Sequence, residues 1–469
     1  MNRNWLLLPG VIVLILSGCT LAPEYTRPAS PVPTDWPAGA AYQETRPSAS
    51  APTASGLPWR VFFTDERLQK IIETALNNNR DLRLAVLSVE KARALYGIQR
   101  AELFPSANAV GSGSRERVPA DLSSTGSVRT TERYSVNLGI SSWEIDFFGR
   151  IRSLKDRALE EYLATDQARR SAQILLVSTI ANAYLALAAD RQNLKLAAAT
   201  LETQEAAYRL IRKLCDIGLS SEIDLRRAQS QAEAARGEVA RYTQRTAQDE
   251  NALNLLAGSP LTPALLPVDL GGVTLPIEIF PGLSSELLLH RPDVLAAEHR
   301  LKAANANIGA ARAAFFPRIS LTTAIGTASA DLSGLFGSGS GTWSFAPQIA
   351  VPIFDARTWS AYDVTRVDRE ISVAQYEKAI QTAFREVADA LAVQGTTNQQ
   401  ITAQQLLVDA VQETYRLSRV RYANGIDSYL GVLDAQRFLY GAQQGLIALN
   451  FFRFSNSVTL YKVLGGGGE

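Results

Sequence analysis

Two stretches of this chain lack the residues that stop a helix. Between Arg150 and Asp216 there is neither Pro nor Gly, and from Arg357 to Asn424 the only breaker is Gly395. Both stretches are rich in Ala, Leu, Glu, Arg and Gln, the better helix formers. At ~1.5 Å rise per residue, each predicts a continuous helix on the order of 100 Å long. Globular helices seldom pass ~25 residues, so this length predicts coiled-coil packing of helix on helix. Within the first stretch, Ser171 to Ala189 carries no charge and approaches the length of a membrane span. Its Ser171, Gln173, Ser178, Thr179 and Asn182 make it a buried seam between helices instead.

The two stretches belong to a repeat. Tyr208-Arg209-Leu210 is echoed by Tyr415-Arg416-Leu417, and at the same offset Arg212 matches Arg419, Gly218 matches Gly425, Ser221 matches Ser428, and Ala228-Gln229 matches Ala435-Gln436. Earlier in each half, Asp81, Gly97 and Phe104-Pro105 match Asp293, Gly309 and Phe316-Pro317. Each half therefore reads as a helix, two strands, a very long helix, a turn at Gly218 or Gly425, and a returning helix that ends near Gly258 or Gly465. Length alone would allow about three domains at ~150 residues each. The repeat replaces that count with two halves.

The strands follow the two Phe-Pro pairs. Tyr134, Val136, Leu138 and Ile140 alternate with Ser135, Asn137, Gly139 and Ser141; Ile319, Leu321 and Ile325 alternate with Ser320, Thr322 and Ala324; Trp343, Phe345, Ile349, Val351 and Ile353 oppose Ser344, Ala346, Gln348 and Ala350. The strand after Pro105 is small, polar and weakly patterned. Such alternation suits either a half-buried soluble sheet or a membrane barrel with its apolar residues outward. Strand lengths of ~10 residues and the leader described below shift the balance to the barrel. Trp143, Phe147, Phe148, Phe354 and Trp359 cluster where strands meet helices, as an interfacial girdle requires. Four strands cannot close a barrel, and open edges are not tolerated in hydrocarbon. Membrane strands here predict an oligomer that shares one barrel. Residues 116–131 and 331–341 read as the outward loops.

Nine of the 20 prolines fall in the first 58 residues. Met1 to Cys19 reads as a bacterial secretory signal, with Arg3 in the n-region and a short apolar core from Trp5 to Leu16. Leu16-Ser17-Gly18-Cys19 resembles a lipobox, which implies cleavage before Cys19 and acylation of its thiol and new amino group. Thr20 follows where an Asp often retains lipoproteins in the inner membrane, so the outer membrane is the expected destination. Pro-rich residues 23–58 read as an extended tether. The expected boundaries are a signal peptide at 1–18, lipidated Cys and tether at 19–60, a first repeat at 61–260, a linker at 261–283, a second repeat at 284–464 and a flexible end at 465–469.

Lys+Arg 47 against Asp+Glu 46 leaves a formal charge of +1, which excludes a strong nucleic-acid footprint. Two Cys and two His provide neither a disulfide framework nor a metal cluster. His290 and His299 lie near the start of one predicted helix with no nucleophile nearby, and read as solvated or core-edge residues. Neither a nucleotide-binding loop nor a Ser/His/Asp set is present. An enzyme is not expected, and no cofactor beyond a covalent lipid on Cys19, a diacylglycerol and an N-acyl chain.

Taken together, the lipobox, the Pro-rich leader and the two tandem helix-hairpin-helix units resemble the TolC/OprM-type outer-membrane efflux channels, in the lipidated branch that partners resistance-nodulation-division transporters. The motifs are Trp143-Glu144-Ile145-Asp146-Phe147-Phe148-Gly149-Arg150, Pro352-Ile353-Phe354-Asp355, and Asn424-Gly425 through Val432-Leu433-Asp434-Ala435-Gln436. The resemblance implies a mainly α-helical protein with membrane β: a homotrimer in which four strands per chain form a twelve-stranded barrel, continued by a coiled-coil periplasmic tunnel that docks on an adaptor protein. It implies passive export of drugs or other small molecules through the outer membrane. It also implies a gate of an apolar and an acidic ring at Leu430 and Asp434, with Tyr422 before the second turn and Asp224 after the first. Asp427 and Gly431 depart from the TolC pattern, where an Arg and an acidic residue stand. Three like charges near one axis disfavour each other's ionisation, which gives Asp434 a physical case of its own. As a plain solvated carboxylate it would need no such role, and Asp224 in the first turn of its helix offsets the dipole equally well. Two other functions fit parts of the sequence: a lipid-anchored periplasmic coiled-coil scaffold, and the outer-membrane channel of a type I secretion system.

Overall fold

The computed structural model describes residues 20–45, 57–274, 276, 277, 279 and 284–467. The signal segment, Cys19 and residues 46–56 of the tether lie outside the described residues. Twelve elements carry the fold: α1 (Trp59–Phe62), α2 (Glu66–Asn78), α3 (Arg80–Ala101), β1 (Ala107–Val118), β2 (Arg129–Glu144), α4 (Arg150–Asp216), α5 (Glu222–Ala257), α6 (Pro292–Ala313), β3 (Arg318–Ser329), β4 (Gly341–Ala350), α7 (Ala356–Ala423) and α8 (Tyr429–Val463). The order α3-β1-β2-α4-α5 recurs as α6-β3-β4-α7-α8, the repeat seen in the sequence.

The two long helices hold 67 and 68 residues, and each ends at a glycine turn. Gly218 and Gly425 have φ of 77° and 73°, a left-handed conformation that side chains with a Cβ resist. Ser221 then caps α5, its Oγ accepting from the Asp224 N–H at 3.1 Å.

Packing divides the chain into two compact units, and each draws on both repeats. One unit holds residues 20–29, 88–166 and 296–376. Its four strands form one antiparallel sheet in the order β1-β2-β3-β4. Register puts Tyr134, Val136 and Leu138 opposite Gly113, Gly111 and Ala109 on one side and Ser329, Thr327 and Ile325 on the other. Ile325 in turn faces Trp343, and Ile319 faces Ile349. One face of the sheet is thus apolar, and it is open: Leu138, Ile325, Trp343 and Ile349 are all more than half exposed. The other face carries Ser112, hydrogen-bonded to Ser135 at 2.8 Å, with Asn137, Ser320 and Gln348. A bulge between Ile140 and Trp143, with Ser142 at φ 52°, turns Trp143 back onto the apolar face beside Leu321.

The expected strand after Pro105 is present, and two other expectations about this region need correcting. The strand after Pro105, weakly patterned in sequence, spans 12 residues, because pairing with β2 supplies what its small side chains do not. The hairpin strands run further than expected, so the first loop shrinks to residues 119–128. The fourth strand stops at Ala350 instead of continuing to Ile353, since no partner lies beyond the Arg318 to Ala350 pair and Pro352 cannot donate to a ladder.

The same unit also holds the start of the described chain. Arg27 forks onto the buried carboxylate of Glu298 at 2.8 and 3.0 Å, and Tyr25 Oη donates to it at 3.1 Å. Lys302 completes the cage at 3.2 Å. Burial opposes the Glu298 charge, but hydrogen bonds from Arg27 and Lys302 outweigh it and hold the carboxyl below its ordinary range. Asn305 Nδ2 donates to the Pro23 carbonyl at 2.7 Å, and Arg312 to that of Leu21 at 3.2 Å. Gly309 leaves room for this strand-like segment: a Cβ there would lie 2.8 Å from Ala22.

The second unit holds residues 30–87, 167–295 and 377–467. The uncharged seam of α4 is core here, with Ile174, Val177, Ile180, Ala181, Tyr184 and Leu187 buried. A membrane span is therefore not its role. Tyr461 stacks on Phe62 with centroids 4.0 Å apart. His290 ends a short 3₁₀ turn (Ser285–His290) before α6 and is not on the helix that carries His299.

Candidate functional site

The two glycine turns and the helix ends they join form the site that sequence reasoning pointed to. Its centre is an apolar cluster of Ile211, Ala228, Tyr429, Val432 and Leu433, flanked by Tyr208, Leu225, Tyr415 and Tyr422. These side chains come from α4, α5, α7 and α8, so one cluster holds both hairpin tips together. Tyr422 and Tyr429 lie with ring centroids 5.2 Å apart. Burial, then the neighbouring tyrosines, push the Tyr429 hydroxyl up to about 12. Burial and the charge of Asp224 raise Tyr422, so two of the predicted gate residues are near neighbours.

Leu430 and Asp434 sit one turn apart on the exposed side of α8. Leu430 is 40% exposed, a large apolar side chain turned away from the cluster. Asp434 pairs with Arg437 at 3.3 Å, and its side chain is 48% exposed. Asp224 pairs with Arg227 at 3.6 Å and accepts from Ser221 Oγ at 2.7 Å, the behaviour of a first-turn helix charge. The structure brings Tyr422 to the cluster and leaves Leu430 and Asp434 facing outward from the protomer.

Two features of the tip escaped the sequence reading. Arg421 forks onto Asp427 across the second turn, at 2.5 and 3.1 Å. The first turn has no counterpart, because Leu214 and Ser220 occupy the repeat-related positions. The apolar cluster itself was signalled in part, since Tyr208/Tyr415 and Ala228/Ala435 stand out as repeat echoes. Their packing was not.

Of the interfacial aromatics, Phe354 is 87% exposed and Phe147 lies at the surface. Phe148 instead stacks on Phe316 with centroids 4.9 Å apart. Trp143 is half-buried, its ring N–H enclosed and without a partner among the described residues. His299 contacts Glu160 at 2.6 Å. Among the described residues, no three His, Cys, Asp or Glu side chains group as a metal would require.

A carboxyl pair on α4 and α5 was also missed. Burial raises Asp190 and, together with the Asp190 charge, lifts Asp249 to about 6. Folded Asp249 holds its proton more tightly than the unfolded chain does. Its contribution is therefore favourable below the unfolded value of 3.8 and is lost as pH rises through about 6. Asp249→Asn should raise the melting temperature most at pH 7.5, with the gain fading towards pH 4. A gain that grows on acidification would contradict this assignment.

An open apolar sheet face, a polar opposite face and hairpins of this length define an outer-membrane channel protein. Comparison gives the family. Residues 71–259 and 283–466 match the family described as outer membrane efflux protein. The chain is 49% identical over 459 residues to the probable efflux pump outer membrane protein TtgC of Pseudomonas putida, covering 97% of this chain and 94% of that one. It is 42% identical to the cation efflux system protein CusC of Escherichia coli, covering 98% and 99%. The crystal structure of the open state of the Neisseria gonorrhoeae MtrE outer membrane channel superposes with a TM-score of 0.85 at 38% identity, covering 96% and 99%. The chain belongs to the outer membrane efflux protein family. It is an outer-membrane exit duct and not an enzyme.

Proposed function

We propose that three copies of this chain close one barrel, three sets of four strands around a shared lumen, and that the duct serves a tripartite pump with a periplasmic adaptor and an inner-membrane resistance-nodulation-division transporter. One observation carries the reading: a four-stranded sheet with an exposed apolar face and two open edges, β1 and β4. In hydrocarbon each unpaired edge group costs several kcal/mol, so such a sheet must be closed by further strands. Known bacterial barrels need at least ~8 strands, so one copy cannot close alone; two would reach that minimum, and three is the number the family resemblance implies. The names of TtgC and CusC, an efflux pump protein and a cation efflux protein, support a pump as partner without naming this chain's cargo. Acylation of Cys19 fits the same reading, because Leu21 is held by Arg312 in the last turn of α6, six positions before the start of β3. The periplasmic scaffold leaves the open apolar face without a purpose.

The gate is assigned to Leu430 and Asp434, with Tyr422 and Asp224 supporting the tip. Three outward Leu430 side chains meeting at a three-fold axis would close it by contact, and three Asp434 carboxylates would make the closed ring responsive to cations. The test is current through purified protein in planar bilayers, together with its mass in detergent. A trimer is expected, and Leu430→Ser with Asp434→Ser should raise conductance about tenfold. A monomer in detergent, or no conductance even with both substitutions, would overturn the reading.

A further inference from the structure

Where the strands join the helices, a cleft of about 400 Å³ has a mainly apolar lining into which Glu144, Asp146, Arg150, Arg318 and Asp355 bring charge. Glu144 is one of these, its side chain 16% exposed. Arg150 takes both of its oxygens, Nε to Oε1 and Nη2 to Oε2, each at 2.8 Å. Arg318 Nε reaches the same carboxylate at 3.2 Å, and its side chain is 59% exposed. The other two carboxylates of the lining are already committed, Asp146 to Arg152 at 3.2 Å and Asp355 to Arg357 at 3.0 Å. Two guanidiniums thus share one carboxylate. Arg318 is the more exposed of the two, while Arg150 also feels the charge of Glu102.

Register decides which side of the sheet this charge serves. Arg318 faces Ala350, and Glu144 faces Ser320. Both therefore stand on the polar face, opposite Ile319, Leu321 and Ile325. In a membrane barrel the apolar face meets lipid and the polar face lines the lumen. An arginine fork is suited to planar or tetrahedral oxyanions, which it binds through two parallel N–H donors.

We infer that Arg318, backed by Arg150 and Glu144, forms an oxyanion-binding station in the lumen where the barrel strands join the helices, through which anionic solutes are held on their way out. The inference rests on the shared-barrel reading above and adds a substrate-facing residue to it. In three copies the station would be a ring of three Arg318 side chains. Neighbouring positive charges at a polar constriction favour entry of anions while leaving multiply bound ones slow to depart.

The experiment uses the full-length channel in planar bilayers, on the Leu430→Ser background so that the tip does not limit current. Inorganic tripolyphosphate is added on the barrel side. Block of the current is expected, with Arg318→Gln raising the half-blocking concentration about tenfold and Arg318→Lys falling between, since an ammonium keeps the charge and loses the fork. Glu144→Gln should lower the half-blocking concentration, because both guanidiniums are then released. Equal block in wild type and Arg318→Gln would overturn the station while leaving the channel standing. A loss of block in Glu144→Gln as large as in Arg318→Gln would reduce Arg318 to a structural role and overturn it too. Absence of any current overturns the channel reading and this inference with it.

Discussion

Truncating Tyr461 to alanine should destabilise the unit that carries it by about 3–5 kcal/mol, the range for removing a large buried aromatic. The ring is 1% exposed, stacks on Phe62 and meets Phe63 edge-on at 6.0 Å. Its hydroxyl donates to the Leu57 carbonyl at 2.5 Å, and burial drives its titration upward. Gly466 lies flat against the ring, where any Cβ would overlap it. Alanine would leave a cavity whose walls, two phenylalanines and a glycine-rich chain end, have no side chain able to fill it. Tyr461→Phe isolates the hydroxyl and should cost only about 0.5–1.5 kcal/mol. Denaturant unfolding of the detergent-solubilised protein measures both. A Tyr461→Ala protein within 1 kcal/mol of wild type would show that the stack is not what secures this part of the fold.

The second large effect belongs to the tip. Tyr429→Ala should weaken the packing of α8 against α4 and α5 by about 2–4 kcal/mol, since the ring is 6% exposed and occupies the middle of the cluster. By contrast Arg421→Ala removes an ion pair whose side chains are 53% and 44% exposed. Solvent screens such a pair, so its loss should cost little. The tip is thus held by apolar contact, with the visible salt bridge a minor contributor. Two kcal/mol or more corresponds to roughly 30-fold in an opening equilibrium. Amide hydrogen exchange around residues 425–433 should therefore accelerate by at least about that factor in Tyr429→Ala and by less than ~5-fold in Arg421→Ala. Faster exchange in the Arg421 variant than in the Tyr429 variant would mean that electrostatics governs the tip.

Much of the architecture was legible because it depends on local rules. A stretch without Pro or Gly has one good backbone option, and α4 begins and ends at the residues where its sequence permits, Arg150 and Asp216. Alternation over Tyr134 to Ile140 predicted a strand and its faces, since a period of two leaves no other amphipathic choice. β1 was poorly legible for the same reason: Ala107 to Ser114 holds only small residues, and its strand character comes from the partner. The tip shows the same split at the level of side chains. Leu430 and Asp434 were pointed to by the family resemblance, whereas the Arg421 and Asp427 pair needs a turn geometry that spacing alone does not reveal.

The sequence by itself determined the element order, the repeat and the apolar and polar faces of the strands, because each follows from covalent geometry and near-neighbour chemistry. Only the tertiary structure decided which charges meet. Glu144 and Arg318 are 174 residues apart, and nothing in the spacing of Glu144, Arg150 and Arg318 announces a shared carboxylate. Glu298 and Arg27 are a comparable case, 271 residues apart and joined in one buried cage. Charge balance is a property of the folded surroundings, since a carboxylate is neutralised by what lies within a few ångströms and not by what precedes it in the chain.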